Sequence, residues 1–338
     1  MSRPVITVLL GDPALPDASK PAGRFAAEDF DQLRRLKAAL ESIDRFRFEY
    51  LDDHASMLRR LQKTRSGFVL NFCDTGFRNE ARQEMHVAAL LDALGLPYSG
   101  SGPLALGLCN DKQLVGLLAR SLGVPVPAER LVRPGDDLPD VDYPAFIKPN
   151  RGDGSLGIAA DSIVGDAAAA RGRLERLRRE LPGTEILVQE FLPGDEYGVG
   201  IIGNPGDRFT VLPILEVDYG ALDPSLPRLL DYGSKTDPGS PYWQGVRFRR
   251  AGLADGDLER IAGWSRALFE RLGLRDYARF DFRADARGAI RLLEVNPNPA
   301  WCWDGKLAHM AGLLGDSHAG LLLRIIDAAW RRCFAAAA

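Results

Sequence analysis

The stretch Leu292-Leu293-Glu294-Val295-Asn296-Pro297-Asn298-Pro299 ends on a carboxylate and an amide two residues apart, directly ahead of two prolines. In a strand, side chains two apart share a face, so Glu294 and Asn296 point one way and Val295 the other. The segment Ala278-Arg279-Phe280-Asp281-Phe282-Arg283 alternates in the same manner, with Arg279 and Asp281 on one face and the two phenylalanines on the other. With Arg283 to Ala289 as the turn of an antiparallel hairpin, Asp281 lies beside Glu294. Asp281, Glu294 and Asn296 are then three hard oxygen ligands over an apolar layer, a set suited to Mg²⁺, and the prolines end the strand. A hairpin with solvated charges would use the same residues, as would a glycosidase carboxylate pair. The rest of the chain has to choose.

The 338 residues predict roughly two domain-sized units at about 150 residues each. A net charge of −3, from 43 basic and 46 acidic residues, gives no electrostatic case for nucleic acid or an anionic membrane. Any phosphate site is therefore local. Cys73, Cys109, Cys302 and Cys333 lie far apart without paired spacing, which suggests neither zinc nor a disulfide framework and fits reduced thiols in the cytoplasm. The N-terminal apolar run is short and ends in Gly11-Asp12, as a first strand would, and no stretch approaches the ~18 apolar residues of a membrane span.

Val5 to Leu10 reads as a strand, and Glu28 to Ser42 carries Phe30, Leu33, Leu36, Lys37 and Leu40 at helical spacing. Strand, loop and helix recur to about residue 100, which predicts an open α/β unit closing at Leu96-Pro97-Tyr98-Ser99-Gly100-Ser101-Gly102-Pro103. Leu104 to Gly123 reads as a single helix with Leu114, Leu117 and Leu118 on one face. Beyond it come strands at 143–150 and Gly157 to Asp161, a charge-rich helix after Ala167, mostly strand periodicity from Ile186, and a closing helix after Ala319.

Lys148 ends an apolar strand, where a lysine is rarely buried without an anionic partner. The loop after it, Arg151-Gly152-Asp153-Gly154-Ser155-Leu156-Gly157, has the glycines that let backbone N–H groups approach phosphate, although a plain β-turn explains it equally well. Gln189-Glu190-Phe191-Leu192 ends a second apolar strand and offers an apolar wall with backbone hydrogen bonds for an adenine edge; Glu196 beyond it offers an acceptor to ribose.

The order of these motifs resembles that of the ATP-grasp superfamily, and within it the D-alanine–D-alanine ligases and related ATP-dependent carboxylate–amine ligases. The resemblance runs from about Val69 to Leu314 and is carried by LLDALGLPYSGSGPLALGLCNDK, YPAFIKPNRGDGSLGI, ILVQEFLPGDEYGVGIIG, LLDYGSK, and ARFDF followed by LLEVNPNP. It implies an α/β fold of three parts, an N-terminal unit over 1–103, a central one over 104–185 and a C-terminal one over 186–338, with ATP between the last two. Carried over by position, Lys112 and Lys148 contact ATP phosphates, and Gly152, Gly154, Ser155 and Gly157 belong to a mobile flap. Gln189, Glu190, Phe191 and Leu192 line adenine, and Glu196 takes ribose. Lys235 is a third phosphate-side lysine. Asp281, Glu294 and Asn296 hold two Mg²⁺ ions, and Arg279 stabilises the transferring phosphoryl group. The implied reaction joins small-molecule carboxylate and amine substrates through an acyl phosphate, which calls for cations around developing negative charge rather than a protein nucleophile. A homodimer is also implied.

The chain departs from the D-alanine-specific pattern in its substrate half. No Ser-x-Glu follows the first strand, where Asp12, Asp17 or Glu28 could substitute, and Arg78 and Arg82 stand in the segment after the third strand, where they could grip a carboxylate. After the hairpin, Trp301 and Trp303 suggest an aromatic pocket wall and Lys306 a substitute carboxylate contact. These departures predict a substrate pair outside cell-wall synthesis. A true D-alanine–D-alanine ligase, a small-molecule kinase and a non-catalytic nucleotide-binding regulator are the other readings.

Overall fold

The computed structural model describes residues 3–334 apart from 21, 65, 153, 231–233 and 235–238. Strands β1 (Val5–Leu9), β2 (Arg47–Leu51) and β3 (Phe68–Asn71) form a parallel sheet in the order β2-β1-β3. The helix Ala27–Glu41 buries Leu33, Leu36 and Leu40 against it, while Phe30 stays largely exposed. The same core takes Leu321, Leu322, Ile325 and Ile326 of the last helix, His318–Phe334, so the chain's end returns to the first sheet.

Strands β4 (Glu129–Val132), β5 (Ala145–Pro149), β6 (Ile163–Val164) and β7 (Ile186–Glu190) form an antiparallel sheet in the order β4-β7-β5-β6, backed by the helix Ala167–Glu180. The third sheet, β11-β10-β8-β12-β13 with β9 alongside β8, is built from β8 (Glu196–Ile202), β9 (Thr210–Val211), β10 (Leu215–Asp218), β11 (Arg247–Arg250), β12 (Tyr277–Ala284) and β13 (Ile290–Asn296). Its apolar face, with Tyr197, Val199, Ile201, Phe280, Phe282 and Val295, packs on Ile261, Leu268 and Phe269 of the helix Asp255–Arg271. The other face of β12 and β13 is thereby left for polar groups.

The structure corrects two expectations from the sequence. The predicted single helix over 104–123 is two, Pro103–Cys109 and Lys112–Ser121, broken where the Asp111 side chain accepts from the Leu114 N–H as an N-cap. The second buries Lys112, Val115, Gly116 and Ala119, and leaves Leu114 and Leu117 exposed. The predicted strand over Gly157 to Asp161 is instead a loop leading into a short turn, Ala160–Ser162, and pairing begins only at Ile163. All four cysteines are free thiols, and among the described residues no helix is long and apolar enough to cross a membrane.

Trp301 belongs to this core and not to a pocket wall. It is buried, stacks on Phe72, and donates its indole N–H to the Phe72 carbonyl at 3.0 Å. Trp301→Ala should therefore lose about 3–5 kcal/mol in a urea titration. An unchanged midpoint combined with altered substrate preference would return the residue to the pocket.

Candidate functional site

The hairpin forms with Asp281 opposite Glu294 and Arg279 opposite Asn296. The register shifts just beyond Asp281, so that Phe282 faces Leu292 and Leu293 is the extra residue of a bulge. On the other side of β12, Asp281 pairs with Gly198, Arg279 with Gly200 and Arg283 with Glu196. Arg279, Asp281, Arg283, Glu196 and Glu294 thus share one wall of a cleft enclosing about 940 Å³, its solvent-open part included. The opposite wall is the second sheet with its loop, through Phe146, Lys148, Gly152, Gly154, Ser155, Gln189, Glu190, Phe191 and Leu192.

The break at Asn110-Asp111 places Lys112 at the cleft. Asp111 accepts from Asn150 Nδ2 at 3.0 Å and from Arg151, and the Asn110 side chain accepts from the Gly152 N–H at 3.1 Å. Lys112 Nζ then reaches the Gly152 carbonyl at 2.6 Å. The loop runs through left-handed backbone at Gly152, Gly154 and Ser155, and Ser155 Oγ donates to the Leu230 carbonyl at 3.2 Å. Gly157 shares that backbone conformation and serves packing as well. A Cβ there would stand 2.9 Å from Pro149 and 3.1 Å from Leu181, so the glycine lets the loop close on the helix behind it and does not line the cleft.

Lys148 is buried, and among the described residues no carboxylate lies within ion-pair distance of it. Burial, then the like charge of Lys112, lowers its pKa to about 8, while Glu294 and Glu129 pull the other way. Gln189 donates to the buried Glu129 at 3.1 Å, and Glu190 pairs with Arg291 at 3.2 Å. The N–H groups of Glu190 and Phe191 already donate to the Ala128 and Pro144 carbonyls, so neither is open to an adenine edge, and the Phe191 and Leu192 side chains form an apolar wall.

Asp281 is surrounded. Its Oδ1 accepts from Arg279 Nε at 3.1 Å and Lys306 Nζ at 3.2 Å; its Oδ2 accepts from Arg279 Nη2 at 2.9 Å and Asn296 Nδ2 at 3.2 Å. Burial alone would raise its pKa, but Arg279 and Lys306 hold the carboxyl well below the usual range. Glu196 is engaged on both oxygens, by Lys306 at 3.0 Å and by the Tyr219 hydroxyl at 3.2 Å with Arg283 behind it. Its predicted availability to ribose is thereby reduced. Lys306, predicted to hold a substrate carboxylate, instead bridges two carboxylates of the protein.

Glu294 differs from both. It has no ion pair among the described residues, and only the Asn296 amide approaches it, at 3.4 Å. Turned over, that amide would present its oxygen to a cation beside Glu294, so these two residues fit a divalent ion. Among the described residues no group of three or more His, Cys, Asp and Glu could hold a metal.

Other predicted residues stay outside. Arg78 and Arg82 are exposed and do not line the cleft; the Arg78 N–H donates to His54 Nδ1 at 2.7 Å, and Arg82 lies 3.6 Å from Glu80. Trp303 is 42% exposed beneath the Arg35 guanidinium, 4.4 Å from its ring centre. Lys235 lies outside the described residues. Sequence reasoning missed Arg283, although it follows Arg279 and Asp281 on the same strand face; it also missed Tyr219 and Glu129, whose partners come from distant segments.

A family model described as the D-ala D-ala ligase C-terminus matches residues 137–327. An uncharacterized protein of Sinorhizobium fredii, y4sG, is 31% identical over 271 residues, 80% of this chain and 76% of that one. A D-alanine–D-alanine ligase of Oleidesulfovibrio alaskensis is 30% identical over 301 residues, covering 88% and 84%. Among solved structures, the D-alanine–D-alanine ligase of Bacillus anthracis complexed with ATP is similar in fold at a TM-score of 0.71, with 21% identity and 97% of each chain covered.

An unpaired buried ammonium costs the folded state. Between about pH 8 and 10.5 the native protein binds fewer protons at Lys148 than the unfolded chain, so stability rises with pH there and the penalty is complete below 8. Lys148→Met should accordingly be more stable at pH 7, by on the order of 2–3 kcal/mol, and should lose that slope. Nucleotide binding should weaken at least about tenfold. Urea titrations across pH 7–10.5 read the first two effects, and a variant less stable than wild type at pH 7 would make Lys148 a structural cation.

Proposed function

Because the chain belongs to the D-alanine–D-alanine ligase family of the ATP-grasp superfamily, we propose that it joins a small carboxylic acid to an amine through an acyl phosphate, releasing ADP and phosphate. It is an ATP-dependent carbon–nitrogen ligase. The observation that carries the reading is Lys148, a buried cation without a carboxylate partner among the described residues, in a cleft whose facing wall carries Glu294 without an ion pair.

The triphosphate lies toward Lys148 and Lys112, and the base rests against Phe191 and Leu192. A substrate carboxylate oxygen attacks the γ-phosphorus, the bond to the β-phosphate oxygen breaks, and ADP leaves. The amine then attacks the acyl carbon and loses a proton, and the carbon–oxygen bond to phosphate breaks. Arg279 stands where negative charge grows in both steps; burial opposes its charge, but Asp281 outweighs burial and keeps it protonated. A divalent ion on Glu294 and Asn296 would neutralise phosphate charge. The residues around the cleft serve to bind, orient and stabilise, and no protein nucleophile is required.

We assign the substrates to a pair other than two D-alanines. Support comes from the missing Ser-x-Glu and from Asp12, one candidate to replace that glutamate, whose oxygens accept from the Ala14 and His54 N–H groups at 2.9 Å each. Ligation of two D-alanines is the second reading, and it is favoured by the relatives that carry that name.

The test is Mg²⁺-dependent ADP release against pools of D-amino acids, L-amino acids and small amines, with mass spectrometry of each active pool. ADP, phosphate and a condensed mass are expected, and D-alanine alone as the active pool would establish the second reading. A phosphorylated product in place of the condensed one would overturn ligation. Glu294→Ala should cut turnover by about a hundredfold or more with the fold intact. Near-normal turnover in that variant would remove Glu294 from the metal site.

A further inference from the structure

Lys306 is an unusual neighbour for a metal-binding carboxylate. It opens the helix Lys306–Gly312, its side chain is only 11% exposed, and its ammonium is held from two sides by Glu196 and Asp281 at 3.0 and 3.2 Å. The placement is built into β8. A Cβ at Gly198 would meet Met310 at 2.9 Å, and one at Gly200 would meet Leu307 at 2.7 Å and Met310 at 2.8 Å. These two glycines let the helix lie close over the sheet, and its first residue thereby reaches the carboxylates of β8 and β12. Tyr219 and Arg283 fix Glu196 from behind, so the ammonium has a permanent anchor.

The consequence falls on Asp281. An ionised carboxylate offers about four acceptor directions. In Asp281 three of these are met by Arg279 through two nitrogens and by Lys306, and the Asn296 amide meets the fourth only in the orientation that does not ligate a cation. Glu294 alone of the hairpin carboxylates remains without an ion pair among the described residues. The expectation of two metal ions on Asp281, Glu294 and Asn296 does not fit that arrangement, because the second ion would have to displace a resident ammonium and approach a bound guanidinium.

We propose that Lys306 supplies, as a fixed part of the protein, the positive charge that a second divalent ion would bring, so that the phosphoryl site takes one ion, on Glu294 and Asn296. The proposal rests on the reading of the cleft as a nucleotide site. Lys306 is a positioning residue in this account: it holds Asp281 and Glu196 and excludes a cation from between them.

The experiment counts ions. Protein saturated with a non-hydrolysable ATP analogue is titrated with Mn²⁺, free Mn²⁺ is read by electron paramagnetic resonance, and retained nucleotide is measured on the same sample. The expected ratio of bound Mn²⁺ to bound nucleotide is one in wild type and in Lys306→Arg, and two in Lys306→Met. The double variant Lys306→Met/Glu196→Gln, which leaves no uncompensated Glu196 carboxylate, carries the same expectation of two should the single variant fail to fold. Two ions per nucleotide in wild type would overturn the proposal and leave the nucleotide site standing, as would one ion in a folded Lys306→Met. Failure of wild type to retain nucleotide would overturn the site reading and this proposal together.

Discussion

The antiparallel pairing of Asp281 with Glu294 is the contact from which the rest of the cleft follows. Because side chains alternate along a strand, a slip of one residue would turn Phe280 and Phe282 into the cleft and bury the charges against the helix Asp255–Arg271. The apolar face of the sheet, closed by that helix, therefore selects the register. The bulge at Leu293 refines it: β13 gains one residue where it passes Asp281, which keeps Glu294 in register with Asp281 while Leu292 returns to the core.

The charges on the polar face divide into two kinds. Arg279 with Asp281, Arg283 with Glu196, and Lys306 with both carboxylates form a buried network in which each member has a partner. Removing one member of such a network leaves an uncompensated charge, which costs more than the network contributes. Lys148 and Glu294 stand outside it. A fold does not need a buried ammonium without an ion pair among the described residues, and an anionic ligand would offset the energetic penalty that Glu294 and Glu129 relieve only in part. The ion-paired charges are accordingly read as the frame of the cleft, and the two without an ion pair among the described residues as its working surface.

How much of this is legible in the sequence depends on the range of the interactions. The hairpin is readable because period-two alternation and the flanking prolines are local, and so is the buried strand ending in Lys148. The break at Asn110-Asp111 has a local signal, an aspartate three residues ahead of an apolar run, which the continuous leucine pattern masks. The packing role of Gly157 is hidden because its neighbours, Pro149, Leu177 and Leu181, come together only when the helix Ala167–Glu180 packs. Lys306 can be placed near the site from the sequence but not in its ion pairs, since nothing near Gly198 and Gly200 in the chain announces that a helix from a hundred residues onward will lie on them.

The segment after the hairpin shows the same limit from the other side. Tryptophans directly beyond a metal-type strand suggest a pocket wall, yet Trp301, Trp303 and Asp304 all reach away from the cleft. Trp301 donates to the Phe72 carbonyl, Asp304 accepts from Gln32 Nε2 at 2.9 and 3.0 Å, and Trp303 lies under Arg35. Gln32 and Arg35 belong to the helix Ala27–Glu41, so these contacts tie the third sheet to the first. The side chains of that stretch which bind the two units already have partners in the first one. The stretch therefore fixes how the first sheet stands against the sheet that carries the polar wall of the cleft.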